Sequence, residues 1–411
     1  MNRTLLKKWF QTLDTIGALP EGGVTRLAYS SEEDLMFRRT AEFAQRMGFS
    51  VSEDCVGNMF ISFAGREKEP CRLIGSHLDS VPQGGRFDGV AGVLAGLLVM
   101  EKIQRLGEDL PVRVAAFRAE ESSLYGLATA GSGAVTGSVN IAHLKNARAL
   151  SGESLYDAMI RKGYSPGACR LENALDFTEL HIEQGRVLFE SKEPIGVVTA
   201  IAAPTRLKVM LKGRQDHSGA TPMDLRKDAL CAAAEIILAT EKAGRDEMRF
   251  ATVATVGVAN VLPNALNVVP GSAELRIDIR GIRKESISRT VERVKNAIDT
   301  VSRERRISSS TETLSSMDPV ALSSSMIESL SEAAETAGVS FRRMASGAGH
   351  DAMKVAHLVP TGMLFIPCDE GISHNIAENA SLKDIALGAE VMLQSIRLRN
   401  ARIQKSRQPS P

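Results

Sequence analysis

The stretch that most limits what this chain can fold into runs from Arg72 to Leu106. Arg72 to Gly75 is a short apolar run that reads as the end of a buried strand, and His77 and Asp79 stand just beyond it. Pro82 and the pair Gly84-Gly85 then make a turn. Asp88 follows, and an apolar run from Val90 to Met100 opens a helix that reaches about Leu106. Asp88 is placed as the N-cap of that helix. A strand end and a helix start, bent together by glycines, aim His77 and Asp88 at one point. An imidazole and a carboxylate meeting there suit a first-row divalent metal. Alone, a His-x-Asp reads as a solvated loop. The strand before it, the helix after it and further His and Glu residues downstream give it weight.

The remaining text repeats this grammar. Residues 1 to about 48 read as helical. Phe49 to Ser52 and Asn58 to Phe63 read as strands, and Val112 to Phe117 is another that ends in Glu120-Glu121. Ser154 to Lys162 is a short helix, Phe177 to Gly185 a strand entering a turn, and Val197 to Ala202 a further strand. Strands alternating with helices imply a mostly parallel sheet with ligands at the strand carboxyl ends. Near Arg206 the order becomes βαββαβ, with strands at Arg206–Arg214, Ala251–Val261, Ala273–Arg280 and Ile307–Ser315 and helices at Asp224–Ala243 and Glu285–Arg305. That is the ferredoxin-like pattern. The helix Ser323–Ala337 then resumes the earlier pattern. The expected architecture is α/β: a parallel-sheet hydrolase domain in two parts, 1–205 and 319–400, an inserted α+β domain at 206–318, and a disordered tail at 401–411. Linkers near 205 and 318 are the expected hinges.

Composition enters as exclusion. A formal net charge of +1 gives no electrostatic case for nucleic acid or an acidic membrane. The longest apolar run, Val90 to Met100, is too short to span a bilayer, and the first residues lack a signal-peptide core. Five scattered cysteines, odd in number, argue for a reducing compartment and against a disulfide framework. A cytoplasmic protein is expected. No Gly-x-Ser-x-Gly, Gly-x-Gly-x-x-Gly or Walker A motif is present.

Glu120-Glu121 ends a strand, and adjacent side chains on an extended chain point apart. One can bind metal while the other reaches a metal-bound water, which gives a ligand and a general base. His181, in His181-Ile182-Glu183-Gln184-Gly185, offers a third ligand, and His374, in Ile372-Ser373-His374-Asn375, a fourth. Together these suggest a two-metal site with a bridging carboxylate. His217, Asn267 and Arg280 lie in the inserted domain, where the Arg280 guanidinium could clamp a carboxylate. His143 and His357 sit in helix-like text and read as ordinary histidines.

With these motifs in place the chain resembles the M20 metallopeptidase clan, in its N-carbamoyl-L-amino-acid hydrolase and allantoate amidohydrolase (hydantoinase/carbamoylase) branch. The resemblance covers nearly the whole chain. It is carried by Gly75 to Val81, Gly84 to Gly89, Glu120-Glu121, His181 to Gly185, His217 to Met223, Asn267 to Gly271, Asp278 to Gly281, Ser346 to Asp351 and Ser373 to Asn375. It implies two divalent cations (Zn, Mn, Co or Ni) per subunit. His77 and His181 would be terminal ligands, Glu121 and His374 would complete the two sites, and Asp88 would bridge them. It implies Glu120 as general base and Asp79 as the partner that orients His77. It implies Asn267 and Arg280 on the substrate carboxylate, with Gln184, Gly349 and His350 nearby. His217 would reach the partner subunit's site in a homodimer. Histidine at 181, where peptidase members tend to carry a carboxylate, points to cleavage of ureido compounds. Allantoate, N-acyl amino acids and dipeptides are the alternative small-molecule substrates. Ser122 to Tyr125 and Gly131-Ser132-Gly133 depart from the family's usual Gly-Ser-Arg-Phe and Gly-Ser-Arg, which alters the pocket wall and leaves the metal and base positions intact.

Overall fold

The computed structural model describes residues 1–167 and 169–407. It divides into two compact units, Met1–Thr199 with Leu322–Pro411, and Ala200–Ala321.

Four parallel strands form the centre of the first unit, in the order Val112–Phe117, Cys71–His77, Ala174–Ile182, Thr361–Ile366. Antiparallel strands flank them: Met59–Phe63 and Phe49–Glu53 on one side, Ile195–Ile201 on the other. The strand Cys71–His77 is buried at every position, as the unalternating apolar text demands of a strand covered on both faces. The helix Val90–Leu106 lies on this sheet, with Leu94, Leu97 and Leu98 fully buried. Each such side chain contributes roughly 2 kcal/mol of burial. The long helix Leu382–Arg407 packs beside that helix.

The parallel arrangement decides where chemistry can gather. His77 ends one central strand, Glu120-Glu121 follow the second, His181 is one residue from the end of the third, and His374 lies in the turns after the fourth. Four carboxyl ends thus open onto one edge of the sheet, where ligands of open α/β sheets bind.

The second unit is a four-stranded antiparallel sheet in the order Ser308–Ser316, Ala203–Lys212, Ser272–Gly281, Val253–Leu262. The helices Ala229–Asp246 and Lys284–Glu304 complete the βαββαβ order. Leu207, Val209, Leu211, Leu275, Ile277 and Ile279 alternate inward and meet Ala232, Ile236, Val294 and Ile298 of the two helices.

Several local expectations fail for identifiable reasons. The N-terminal helical stretch is two helices, Arg3–Leu13 and Ser31–Arg46, with the second capped by Ser30. The helix expected from Asp224 begins at Ala229, because the Asp228 carboxylate accepts the amides of Leu230 and Cys231. Asp88 is not an N-cap. Gly89 holds that position with φ +66, and the Asp88 carboxylate is turned elsewhere. The cysteines are not all free: Cys55 and Cys169 form a disulfide with Cα atoms 5.9 Å apart. Their separation of 114 residues leaves no spacing signal to read. The expected disordered tail is helical as far as Arg407, and residues 408–411 lie outside the described residues. Among the described residues no helix is long and apolar enough to cross a membrane.

Candidate metal centre

At the carboxyl edge of the sheet the Asp88 carboxylate faces two sets of donors. Its Oδ1 lies 3.3 Å from His77 Nε2 and 3.1 Å from His181 Nε2, and the two imidazole nitrogens are 3.5 Å apart. Its Oδ2 lies 3.5 Å from His374 Nε2, which is 3.1 Å from Glu121 Oε1. A cation with bonds of about 2.0–2.1 Å at tetrahedral angles holds its donor atoms about 3.3 Å apart. The triad His77–Asp88–His181 has that spacing, the two His374 distances in Asp88–Glu121–His374 come close to it, and the triads share one carboxylate.

Ring orientation sharpens the chemistry. His77 Nδ1 faces the Asp79 carboxylate at 3.3 Å and the Asp79 carbonyl at 3.2 Å. His181 Nδ1 faces the Ile182 carbonyl at 2.9 Å. These neighbours only accept, so each Nδ1 carries the ring proton and each Nε2 turns a lone pair inward. Asp88 Oδ1 is buried and receives no hydrogen bond. With both rings neutral, three electron-pair donors converge on one point, and a cation there would satisfy all of them at once. Burial disfavours charge on Asp88, yet His181 and His77 hold its carboxyl well below the ordinary value. Burial likewise opposes the imidazolium of His77, yet Asp79 and Asp88 push its pKa well above the usual one. The carboxylates of Asp79 and Asp88 thus favour positive charge beside them, carried by a cation or by the imidazoles themselves.

The two triads differ in access. The side chains of His77 and His181 are 1 % exposed, whereas that of His374 is 48 % exposed. Hydrogen bonding to Glu121 pushes the His374 imidazole up to about 9.

Asp79 does more than orient His77. Its Oδ1 and Oδ2 accept the backbone amides of Glu120 and Glu121 at 3.1 and 3.0 Å, so one carboxylate fixes both a ligand ring and the acidic pair. Glu120 is 7 % exposed. Burial pushes its carboxyl well above the ordinary value; His77 opposes this and Glu121 adds to it. A carboxylate so placed accepts a proton readily.

Backbone strain gathers at the same edge. Ala119, Gln184 and His374 have φ of +52, +57 and +54, a region that residues other than glycine seldom adopt. Gly89 is required outright, since a Cβ there would lie 2.5 Å from the His77 ring.

Gln184 Nε2 donates to Asp88 Oδ2 at 2.6 Å and lies 3.3 Å from His374 Nε2. His350 is buried, with Nε2 2.9 Å from Ser346 Oγ and its ring 4.5 Å from that of His181. Burial and His181 hold it well below the usual imidazole pKa, so it is a neutral wall behind a ligand. Gly349 precedes it at the amino end of the short helix Asp351–Val355. The other three residues sit in the inserted unit. Asp216-His217 pairs with Val268-Val269, and the Asn267 carbonyl accepts the Ser218 amide at 3.0 Å, so His217 and Asn267 share one ribbon. The Arg280 guanidinium donates to Asp278.

Three further residues escaped sequence reasoning. Glu33 and Arg118 form a buried ion pair at 2.7 Å, and Glu33 Oε1 accepts the Ala119 amide, which braces the segment before Glu120. Glu378 reaches the Asp88 loop from 290 residues away. The Glu33–Arg118 pair and the Glu378 contact each join residues far apart in the chain, and no spacing rule marks them.

The family model for peptidase family M20/M25/M40 matches residues 73–398. The chain belongs to peptidase family M20. An N-carbamoyl-L-amino acid amidohydrolase of Geobacillus stearothermophilus is 36 % identical, over 93 % of this chain and 95 % of that protein. Allantoate amidohydrolase of Escherichia coli is 35 % identical, over 95 % and 96 %. A crystal structure of a hydantoinase/carbamoylase family amidase from Burkholderia multivorans superposes with a TM-score of 0.91 at 33 % identity, covering 97 % of this chain and 98 % of that one. These likenesses place this M20 protein in the hydantoinase/carbamoylase branch, in accord with the α/β parallel-sheet architecture and the metal dependence of the family.

Proposed function

We propose that the chain is a homodimeric, two-cation amidohydrolase that cleaves the carbon–nitrogen bond of N-carbamoyl L-amino acids or closely related ureido carboxylates. The observation that carries this reading is Asp88, whose two oxygens face separate donor triads beside a buried carboxyl. His77, His181 and Asp88 would hold one cation, and Asp88, Glu121 and His374 the other. Imidazole mixed with carboxylate suits Zn, Mn, Co or Ni. Bound there, the cations supply Lewis acidity toward water and the ureido carbonyl.

The chain's own residues do the rest. Glu120 takes the proton of the attacking water and returns it to the leaving nitrogen. His217 Nδ1 accepts the amides of Gly219 and Ala220 at 3.0 and 3.2 Å, so its proton lies on Nε2, a donor suited to the carbonyl oxygen of a substrate held by the partner subunit. Arg280 and Asn267 of the inserted unit would hold the substrate carboxylate. Cleavage at the amino-acid nitrogen releases the free amino acid and carbamate, and the carbamate decomposes to ammonia and carbon dioxide.

The inserted unit supports the dimer. Its outer strand Val253–Leu262 pairs on one side only. Val253, Leu262 and Leu266, with Leu230 and Leu238 of the adjoining helix, are exposed apolar groups. An unpaired edge with an apolar border is a template for a second copy.

The likeness to allantoate amidohydrolase favours a second reading, in which the ureido carboxylate is allantoate. The test is a panel of N-carbamoyl-L-amino acids, allantoate, N-acetyl amino acids and dipeptides, assayed after reconstitution with each of the four metals. Ureido substrates are expected to exceed the others in kcat/KM by about tenfold or more. Preference for N-acetyl amino acids or dipeptides overturns the proposal.

A further inference from the structure

Asp88 and His374 must be held in register for one carboxylate to serve both triads, yet they lie on loops from opposite ends of the chain. Besides Gln184, a buried side chain that joins those loops is Glu378. It is 2 % exposed. Its Oε1 accepts the backbone amides of Phe87 and Asp88 at 3.0 and 3.1 Å. Its Oε2 lies 3.0 Å from the Ser373 hydroxyl, which is 3.1 Å from Asp88 Oδ2. The Glu378 amide closes the turn that carries His374 by donating to the Asn375 carbonyl at 3.0 Å. The opposing loop is shaped for this carboxyl, since a Cβ on Gly85 would lie 1.9 Å from Glu378 Cδ.

We propose that Glu378 is a positioning residue that locks the Asp88 loop to the His374 turn, with Ser373 as its second link, so that the two cation sites form as one unit. The proposal rests on the two-cation reading above. Glu378 touches neither reacting atoms nor the expected cation positions. It acts on Asp88 through the main chain and on His374 through the turn. A glutamine can preserve the geometry: its carbonyl oxygen still takes both amides, and its NH2 can donate to Ser373 Oγ, freeing the hydroxyl proton for Asp88. An alanine leaves two buried amides without an acceptor.

The experiment measures Mn affinity and stoichiometry by chelator competition on the full chain, alongside kcat and KM, for wild type, Glu378→Ala, Glu378→Gln and Ser373→Ala. Glu378→Ala should weaken Mn binding at both sites, by about 10–100-fold, as loss of an outer ligand-supporting group does. The same variant should lower kcat with KM nearly unchanged, and Glu378→Gln should return both affinity and kcat to within about threefold of wild type. Wild-type affinity in Glu378→Ala overturns the proposal, as does a Glu378→Gln that behaves like the alanine. Should Glu378→Ala fail to fold, Ser373→Ala decides: weakened Mn binding supports the lock, and unchanged binding overturns it. A wild-type protein that binds no Mn would instead strike the two-cation reading itself.

Discussion

Asp79→Asn replaces one atom and should disturb the acidic pair, a ligand ring and the fold together. Both Asp79 oxygens face donors: Oδ1 takes the Glu120 amide and borders His77 Nδ1, and Oδ2 takes the Glu121 amide. An asparagine has one acceptor oxygen and one NH2. Whichever way it turns, the NH2 confronts a backbone N–H at about 3 Å, and the site is 1 % exposed, so water cannot relieve the clash. Losing one hydrogen bond to a charged group and stranding a buried amide costs about 2–5 kcal/mol, or about 2–6 °C in Tm for a chain of this size. The better asparagine rotamer keeps Glu120 and His77 and releases Glu121, so the cation at Glu121 and His374 should weaken more than the one at His77 and His181. Differential scanning calorimetry with Mn titration measures both effects. An Asp79→Asn protein with wild-type Tm and affinity would refute the argument that this carboxylate clamps the acidic pair.

Glu120→Gln should retain its cations and lose kcat by about two to four orders of magnitude, or about 3–5 kcal/mol of barrier; steady-state rates near wild type would remove Glu120 from the role of base. Gly89→Ala places a methyl group 2.5 Å from the His77 ring at φ +66, and should cost about 2–5 kcal/mol in thermal denaturation through backbone strain and overpacking. A wild-type melting curve would count against that packing. Because His374 is half exposed and His181 is not, a chelator should strip the cations in two phases, the one at His374 leaving first. A single phase removing both would show that access does not distinguish the two.

The fold and the candidate centre were legible to different depths. The strand–turn–helix text around His77, the βαββαβ order after Arg206 and the acid pair after Phe117 each combine a period with punctuation, and each reappears in the structure at nearly the expected bounds. Convergence of His77, Asp88, Glu121, His181 and His374 followed from parallel strands, because every carboxyl end opens on one edge. The misreading of Asp88 as a helix cap has a physical origin. A carboxylate before an apolar run suits an N-cap and a metal ligand equally, and only three-dimensional competition from two imidazoles decides between them. The Cys55–Cys169 disulfide, the Glu33–Arg118 brace and the Glu378 lock join residues separated by 85 to 291 positions. Such contacts are products of the fold, and no local pattern announces them.

The central claim is that Asp88 serves two cations at once. Metal analysis of the protein reconstituted with Mn and dialysed, beside Asp88→Ala treated identically, tests it most directly. The expected result is about two equivalents per chain in the wild type and loss of both in the variant, because each triad loses its shared ligand. An Asp88→Ala protein that keeps both cations, or a wild type that holds none, would contradict it.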